Sequence, residues 1–358
     1  MFRVSVLASG SKGNCTVVAT SRTRIVVDAG LSCREIVKRM RLSGQEPENL
    51  DAVLITHEHQ DHVQGLSVLA RRWNVPVYMT EATHDAWKRW MSPRKQIGFN
   101  AWLELRRQHL ENSLSEAGEG TGPAAGEVDS CATELPALAA AEEPNVGEPI
   151  LVEAVLAQQG QPTPVGPKSS VDPNLCSEEL FPTDRASEDP TYLPCLEYFR
   201  SGISFQIGDI SVTPFTIPHD AADPVGYVLE SEGVRVVIAT DLGYLPPNVR
   251  MHLERADVLI IESNYDVEML RDGPYPWAVK QRVLSRVGHL SNDSLGEYLA
   301  NEYDGAARFI ILAHISENNN LPELARISAE RALENRMRLL GNRVLLASQS
   351  IPLESIYL

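Results

Sequence analysis

Two strand-rich stretches, each followed by helices, predict an α/β (α+β) fold in which two sheets pack together beneath outer helices. Three observations lead there. Short apolar runs bounded by Gly, Ser, Arg and Asp recur in both halves of the chain. Segments with helical periodicity and capping residues lie between and after those runs. No apolar stretch reaches the roughly 18 residues of a membrane-spanning helix, which leaves a water-facing domain.

Residues 2–8 (FRVSVLA), 14–20 (NCTVVAT) and 24–28 (RIVVD) read as a β-meander. A helix follows over 32–42, with Ser32 as its cap and Ile36, Val37 and Met40 on one face. Next come a strand over 51–56 (DAVLIT), a helix over 61–73, a strand over 76–79 (PVYM) and a helix over 81–91. Strands are expected again near 203–207, 210–217, 225–230, 234–239, 257–262 (DVLIIE) and 308–313 (RFIILA). Helices over 275–286, 291–303 and 322–339 surround the last two. The chain of 358 residues thus reads as one domain, ordered over 1–110 and 196–358.

Between those parts the composition changes. The formal net charge is -16, and Glu111–Glu197 holds 17 acidic residues against two basic ones, Lys168 and Arg185. Nearly all the negative charge sits there, so the whole-chain charge says little about any site elsewhere. The segment is rich in Pro, Gly, Ala and Glu and poor in aromatics, which predicts an acidic, low-complexity, disordered insertion over 111–195. A solvated linker is its plainer reading, and an acidic tether shielding a positive groove the sharper one. Deleting 112–194 is expected to leave the fold intact. Five cysteines, odd in number and without a C-x-x-C, suggest neither a disulfide framework nor a cysteine zinc site. With no signal-peptide pattern at the N-terminus, the expectation is a cytoplasmic protein without membrane contact.

Chemistry concentrates in THEHQDH, where a strand ends and a helix begins. His57, His59, Asp61 and His62 fall within six residues, and imidazole nitrogen with carboxylate oxygen is what zinc, manganese or iron accepts. Further ligands are expected from His219, Asp241 and His314, each directly after an apolar strand that holds it at a sheet-edge cleft. Taken singly, each is as well explained as a hydrogen-bonded structural residue. His84, His109 and His252 lack that context and are expected at the surface, while Trp73, Trp87, Trp90 and Trp102 fit core or lid packing.

This arrangement resembles the motif pattern of the metallo-β-lactamase fold hydrolases. SVLASGSKGNC, VVDAGLS, THEHQDH, PHDAADPVGY, ATDLG, GHLSND and LAHISENNN together look like the YycJ/WalJ-like subgroup, related to the tRNase Z and RNase J nucleases. Gln60 stands where relatives usually carry Ser. The resemblance implies a four-layer αββα sandwich with two divalent ions at the rim between the sheets. His57, His59 and His219 would hold one ion, Asp61, His62 and His314 the other, and Asp241 would bridge them. Zinc suits such ligands, with manganese and iron as alternatives. Two cations about 3.5–4 Å apart acidify a bridging water toward hydroxide and neutralise charge on a phosphoryl or acyl oxygen.

Asp61 would orient that water and accept its proton. His289, in GHLSND, would bind the phosphate or protonate the leaving oxygen, with a structural histidine at a helix start as the alternative. Asp28 is expected to support a ligand histidine, with a plain strand-end turn the equal alternative, and Glu262 to line the site. Lys12 and the backbone N–H groups of the loop S9-G-S-K-G-N14 could hold a phosphate, with a simple hairpin the plainer reading. Lys280, Arg282 and Arg286 on the helix before His289 are candidate contacts for a nucleic-acid backbone, with a solvated helix face the equal alternative. The function so implied is a phosphodiesterase or nuclease of 5′-to-3′ exonuclease character, with nucleic acid as substrate and protein partners unspecified. The alternative on the same fold is a hydrolase of small esters, thioesters or lactams. A di-iron redox protein fits poorly, because that branch places a carboxylate at His59.

Overall fold

A computed structural model describes residues 1–91, 107 and 189–358, with the backbone alone over 335–340. The first sheet begins with β1 Arg3–Ala8, β2 Cys15–Ala19, β3 Arg24–Val27, β4 Ala52–Leu54, β5 Val77–Met79 and β6 Leu196–Tyr198. The second contains β7 Phe205–Ile207, β8 Ile210–Thr216, β9 Val225–Ser231, β10 Val234–Ala239, β11 Val258–Glu262, β12 Phe309–Ala313 and β13 Arg343–Leu346. A last strand, β14 Ile356–Tyr357, returns to the first sheet beside β1. The orders are β14-β1-β2-β3-β4-β5-β6 and β13-β12-β11-β10-β9-β8-β7. Both sheets are mixed: β3 to β6 and β10 to β13 pair in parallel, and the remaining pairs are antiparallel.

Burial on both faces explains why these strands read as continuous apolar runs. Every residue of β2 and of β11 is buried. One apolar cluster joins the sheets, with Val18, Ile25, Val27 and Leu54 from the first and Val212, Tyr227, Ile238 and Ile260 from the second. The alternate residues Val17, Val26 and Val53 face the other way and meet Ile36, Met40, Leu66, Leu69 and Trp87 of the flanking helices. On the second sheet Val237, Leu259 and Ile310 pack against Leu253, Leu295, Leu299 and Leu333.

The flanking helices are α1 Cys33–Leu42, α2 Gln60–Val63, α3 Leu66–Trp73, α4 Glu81–Met91, α5 Pro247–Leu253, α6 Val267–Asp272, α7 Trp277–Val283, α8 Asn292–Asn301 and α9 Pro322–Leu340. Ser32 caps α1, its side chain accepting from the Glu35 amide. No helix among the described residues is long and apolar enough to cross a membrane.

Several expectations change in detail. The helix expected over 61–73 is two, α2 and α3, parted at Gly65. A Cβ on Gly65 would lie 2.2 Å from the Leu31 carbonyl oxygen, so that turn is set by a tertiary contact rather than by periodicity. The helix expected over 275–286 is shorter, and α5, α6, β6, β13 and β14 were not expected. The insertion expected over 111–195 lies outside the described residues up to 188. Of its described end, Thr191 is buried and Leu193 packs against the first sheet's outer cluster. His84 is buried rather than exposed, its Nδ1 2.6 Å from the Tyr198 hydroxyl, because α4 turns it toward β6. His252 is half-buried and stacks on Phe215, while His109 and Trp102 lie outside the described residues. Trp87 is core, but Trp90 is exposed.

Candidate metal centre

Strand ends deliver the site. Asp28 follows β3, the THEHQDH segment follows β4, His219 follows β8, Asp241 follows β10, Glu262 closes β11 and His314 follows β12. Three of these residues take left-handed backbone, with φ of 63° at Asp28, 61° at Asp241 and 52° at His314. Such residues carry local strain of order 1–3 kcal/mol when they are not glycine, and they cluster at functional sites. Here the left-handed residue breaks each strand and turns the chain at the sheet edge. Gly30 contributes differently: a Cβ there would lie 1.6 Å from the Asp61 carbonyl oxygen, so only glycine lets the loop after β3 press against the start of α2.

The seven residues His57, His59, Asp61, His62, His219, Asp241 and His314 come together. His57 Nε2 lies 3.0 Å from His59 Nδ1, which lies 3.3 Å from His219 Nε2. Beside them His62 Nε2 is 3.5 Å from Asp61 Oδ2 and 3.3 Å from Asp241 Oδ2, and His314 Nε2 is 3.5 Å from Asp61 Oδ2. Ligands about 2.0–2.1 Å from a tetrahedral ion sit about 3.3–3.4 Å apart, which is the spacing found. The groups His57–His59–His219, His57–His62–Asp241 and Asp61–His62–His314 each bring their donor atoms within 4.8 Å of one another. Asp241 Oδ2 and His314 Nε2 are buried without a hydrogen-bond partner among the described residues. Buried polar atoms left unpaired are costly, and a cation is one way to satisfy them. The donor set therefore fits divalent ions.

Acceptor-only partners place a proton on Nδ1 of His62, His219, His289 and His314 and leave Nε2 to face the site. His62 Nδ1 donates to Asp28 Oδ2 at 2.8 Å, because a carboxylate can only accept, which leaves Nε2 as the nitrogen that faces the site. His219 Nδ1 donates to the Gly288 carbonyl at 3.2 Å. Asp28 also accepts the Thr56 hydroxyl and the Thr56 amide. Glu262 is fully buried: Oε2 accepts the Leu242 amide at 2.7 Å, and Oε1 accepts His289 Nδ1 at 2.7 Å and His314 Nδ1 at 3.0 Å. A further group of donors, Asp241, Glu262, His289 and His314, is also close enough for an ion. Glu262, however, already has three donors, so we read it as the brace of both rings.

Comparison with known proteins agrees with this geometry. Residues 8–126 match the family described as "Metallo-beta-lactamase superfamily", and residues 128–315 match "Beta-lactamase superfamily domain". The chain is 30% identical over 327 residues to "Exodeoxyribonuclease WalJ" of Streptococcus pneumoniae serotype 2, covering 91% of this chain and 86% of that protein. The chain belongs to the metallo-beta-lactamase superfamily. It is also 29% identical over 332 residues to "Exodeoxyribonuclease YycJ" of Bacillus anthracis, covering 93% and 89% of the two chains. Among solved structures, the metallo-beta-lactamase fold protein YhfI from Bacillus subtilis matches with a TM-score of 0.55 at 13% identity, over 99% of this chain and 100% of that one.

Charge divides this metallo-beta-lactamase site in two. Burial opposes protonation of His62, but Asp28, Asp61 and Asp241 outweigh it and hold the ring well above its usual range. His314 is held up likewise against burial, by Asp241, Asp61 and Glu262. Burial and the neighbouring imidazoles push His57 well below the usual value, and burial lowers His219. Burial would raise Asp61 and Asp241, yet His62 and His314 keep both carboxyls well below the ordinary range. The half built from Asp61, His62, His314 and Asp241 thus calls for positive charge, supplied by protons or by a cation.

The expected substrate contacts have partners of their own. Lys12 Nζ pairs with Glu317 at 2.5 Å, and Arg282 Nε with Asp220 at 2.5 Å. Lys280 Nζ donates to the Arg271 and Gly273 carbonyls, ending α6. His289, braced by Glu262, lies between the rings of His219 and His314, with centroids 5.4 and 5.1 Å away. Sequence reading passed over Asn14, whose amide nitrogen is 3.0 Å from His62 Nε2. The six-residue glycine loop was a signal for it, since such loops bring backbone close to a site.

Proposed function

We propose that this chain is a divalent-metal-dependent phosphodiesterase that degrades DNA from an end. The observation that carries it is the convergence of seven donors, from strand ends and the start of α2, at ligand spacing, on a chain homologous to two exodeoxyribonucleases over about nine-tenths of its length. His57, His59 and His219 would hold one ion, and Asp61, His62 and His314 a second, with Asp241 shared. Zinc suits this histidine-rich set, and manganese or iron the same oxygens and nitrogens. When bound, such a pair supplies Lewis acidity and neutralises charge that builds on a phosphoryl oxygen.

The chain's own groups do the rest. Asp61, held ionised by His62 and His314, is placed to accept a proton from an attacking water. Glu262 fixes the His289 ring at Nδ1, so Nε2 is the atom that faces the departing 3′ or 5′ oxygen, and it gives that oxygen a proton when the ring is in its imidazolium form. Arg282 would meet a backbone phosphate by exchanging Asp220 for it, and Lys12 by exchanging Glu317. Lys280, which caps α6, would act through helix placement. The four-layer αββα arrangement and the acidic insertion over 111–195 belong to the same reading, as does a cytoplasmic setting for unpaired cysteines.

The test is a substrate panel on metal-loaded protein: end-labelled DNA, RNA, nitrocefin and a thioester. Stepwise loss of nucleotides from DNA supports the proposal. Turnover confined to the small esters or the lactam would favour the alternative hydrolase.

A further inference from the structure

Asn14 is 6% exposed and pinned on three sides. Its N–H donates to the Asp61 carbonyl at 2.7 Å, its carbonyl accepts the Gly30 amide at 2.9 Å, and its Oδ1 accepts the Gly10 amide at 2.9 Å. With Oδ1 committed to a donor, Nδ2 is the end of the amide that faces the carboxylate cluster. It lies 3.0 Å from His62 Nε2 and 3.2 Å from Asp61 Oδ2. His62 Nδ1 is spent on Asp28, so Nε2 is the nitrogen that faces the site, and Asn14 Nδ2 lies beside it with Asp61 Oδ2 as its acceptor. An ion that displaces the proton from His62 Nε2 would leave the amide hydrogens to Asp61 Oδ2 alone.

Resting on the metal-centre reading above, we propose that Asn14 is a positioning residue: its amide, braced by Gly10, holds Asp61 Oδ2 beside His62 Nε2. It thereby sets the ion affinity of the Asp61–His62–His314 cluster separately from that of His57–His59–His219. Outer partners of this kind typically govern about 10–100-fold in metal affinity.

Two variants divide this role from that of a loop brace. Zn²⁺ would be titrated into metal-stripped protein in competition with a chromophoric chelator at neutral pH. In Asn14→Ala, one class of site should keep its affinity and the other weaken by about 10–100-fold. Asn14→Asp keeps the volume and the bond from Gly10 but places an oxygen 3.0 Å from His62 Nε2. That oxygen is a new ligand, so the same class should bind more tightly than in the parent. Opposite signs at one position require a side chain that faces the ion. Both classes weakening alike in both variants, or neither class changing, overturns the proposal. Should Asn14→Ala fail to fold, the isosteric Asn14→Asp decides alone, with unchanged or weaker binding counting against. A parent protein that takes up no Zn²⁺ overturns the metal-centre reading as well, which separates the two failures.

Discussion

Replacing Glu262 by glutamine would test how a single buried carboxylate governs two imidazoles. In Glu262→Gln the amide oxygen must stay with the Leu242 N–H, now 2.7 Å from Oε2. The NH₂ group then meets His289 Nδ1 and His314 Nδ1, which at present donate to Oε1. Donor would face donor, so each ring must move its proton to Nε2 or turn away. His314 Nε2, the atom 3.5 Å from Asp61 Oδ2, would then carry the ring's remaining proton and could not bind an ion. Two hydrogen bonds to a charged group, worth about 1.5–3 kcal/mol each, give way to neutral ones worth about 1 kcal/mol. The net cost is about 1–4 kcal/mol, or roughly five- to a thousandfold in the affinity of the His314 cluster and in turnover. Zn²⁺ titration of stripped protein and single-turnover cleavage of end-labelled DNA would read these two quantities. Unchanged metal affinity with unchanged turnover would refute the assignment of Glu262 as the common brace.

Other perturbations follow from the same contacts. His62 and His314 have raised values in the metal-free fold, so their stabilisation is complete below about pH 6.5 and is lost as pH rises through the folded values. Asp61 and Asp241 are lowered, so theirs is present above about pH 4 and lost as pH falls through the folded values. The melting temperature of stripped protein should therefore fall on the alkaline side, and loading with Zn²⁺ should remove most of that fall. Gly30→Ala drives a methyl group into the Asp61 carbonyl and should cost about 3 kcal/mol or more in urea unfolding, with metal affinity reduced. Arg282→Ala should raise KM for DNA more than it lowers kcat, and should reduce the salt dependence of binding by about one phosphate contact.

The site was more legible in the sequence than its surroundings were. Ligands that follow apolar strands announce themselves, because VVIATDLG and FIILAHIS show both the strand and the polar residue it ends on. Asp28 carries the same signal and supports His62. Asn14 does not, since its role depends on a loop meeting α2 from 47 residues away. Nor could the sequence show that Lys12, Arg282 and Lys280 already have partners, at separations of 305, 62 and 9 residues. Strands of two to four residues such as β6, β13 and β14 hold too few side chains for a period to appear. The break at Gly65 arises from the approach of Leu31, which no local pattern encodes.

Counting bound ions tests the central claim most directly. Stripped protein titrated with Zn²⁺ or Mn²⁺ should bind two ions per chain, and DNA cleavage should appear with their uptake and vanish with chelator. A single His219→Ala change should remove one ion and leave the other. Uptake of no stoichiometric metal, or cleavage that survives exhaustive chelation, would contradict the account.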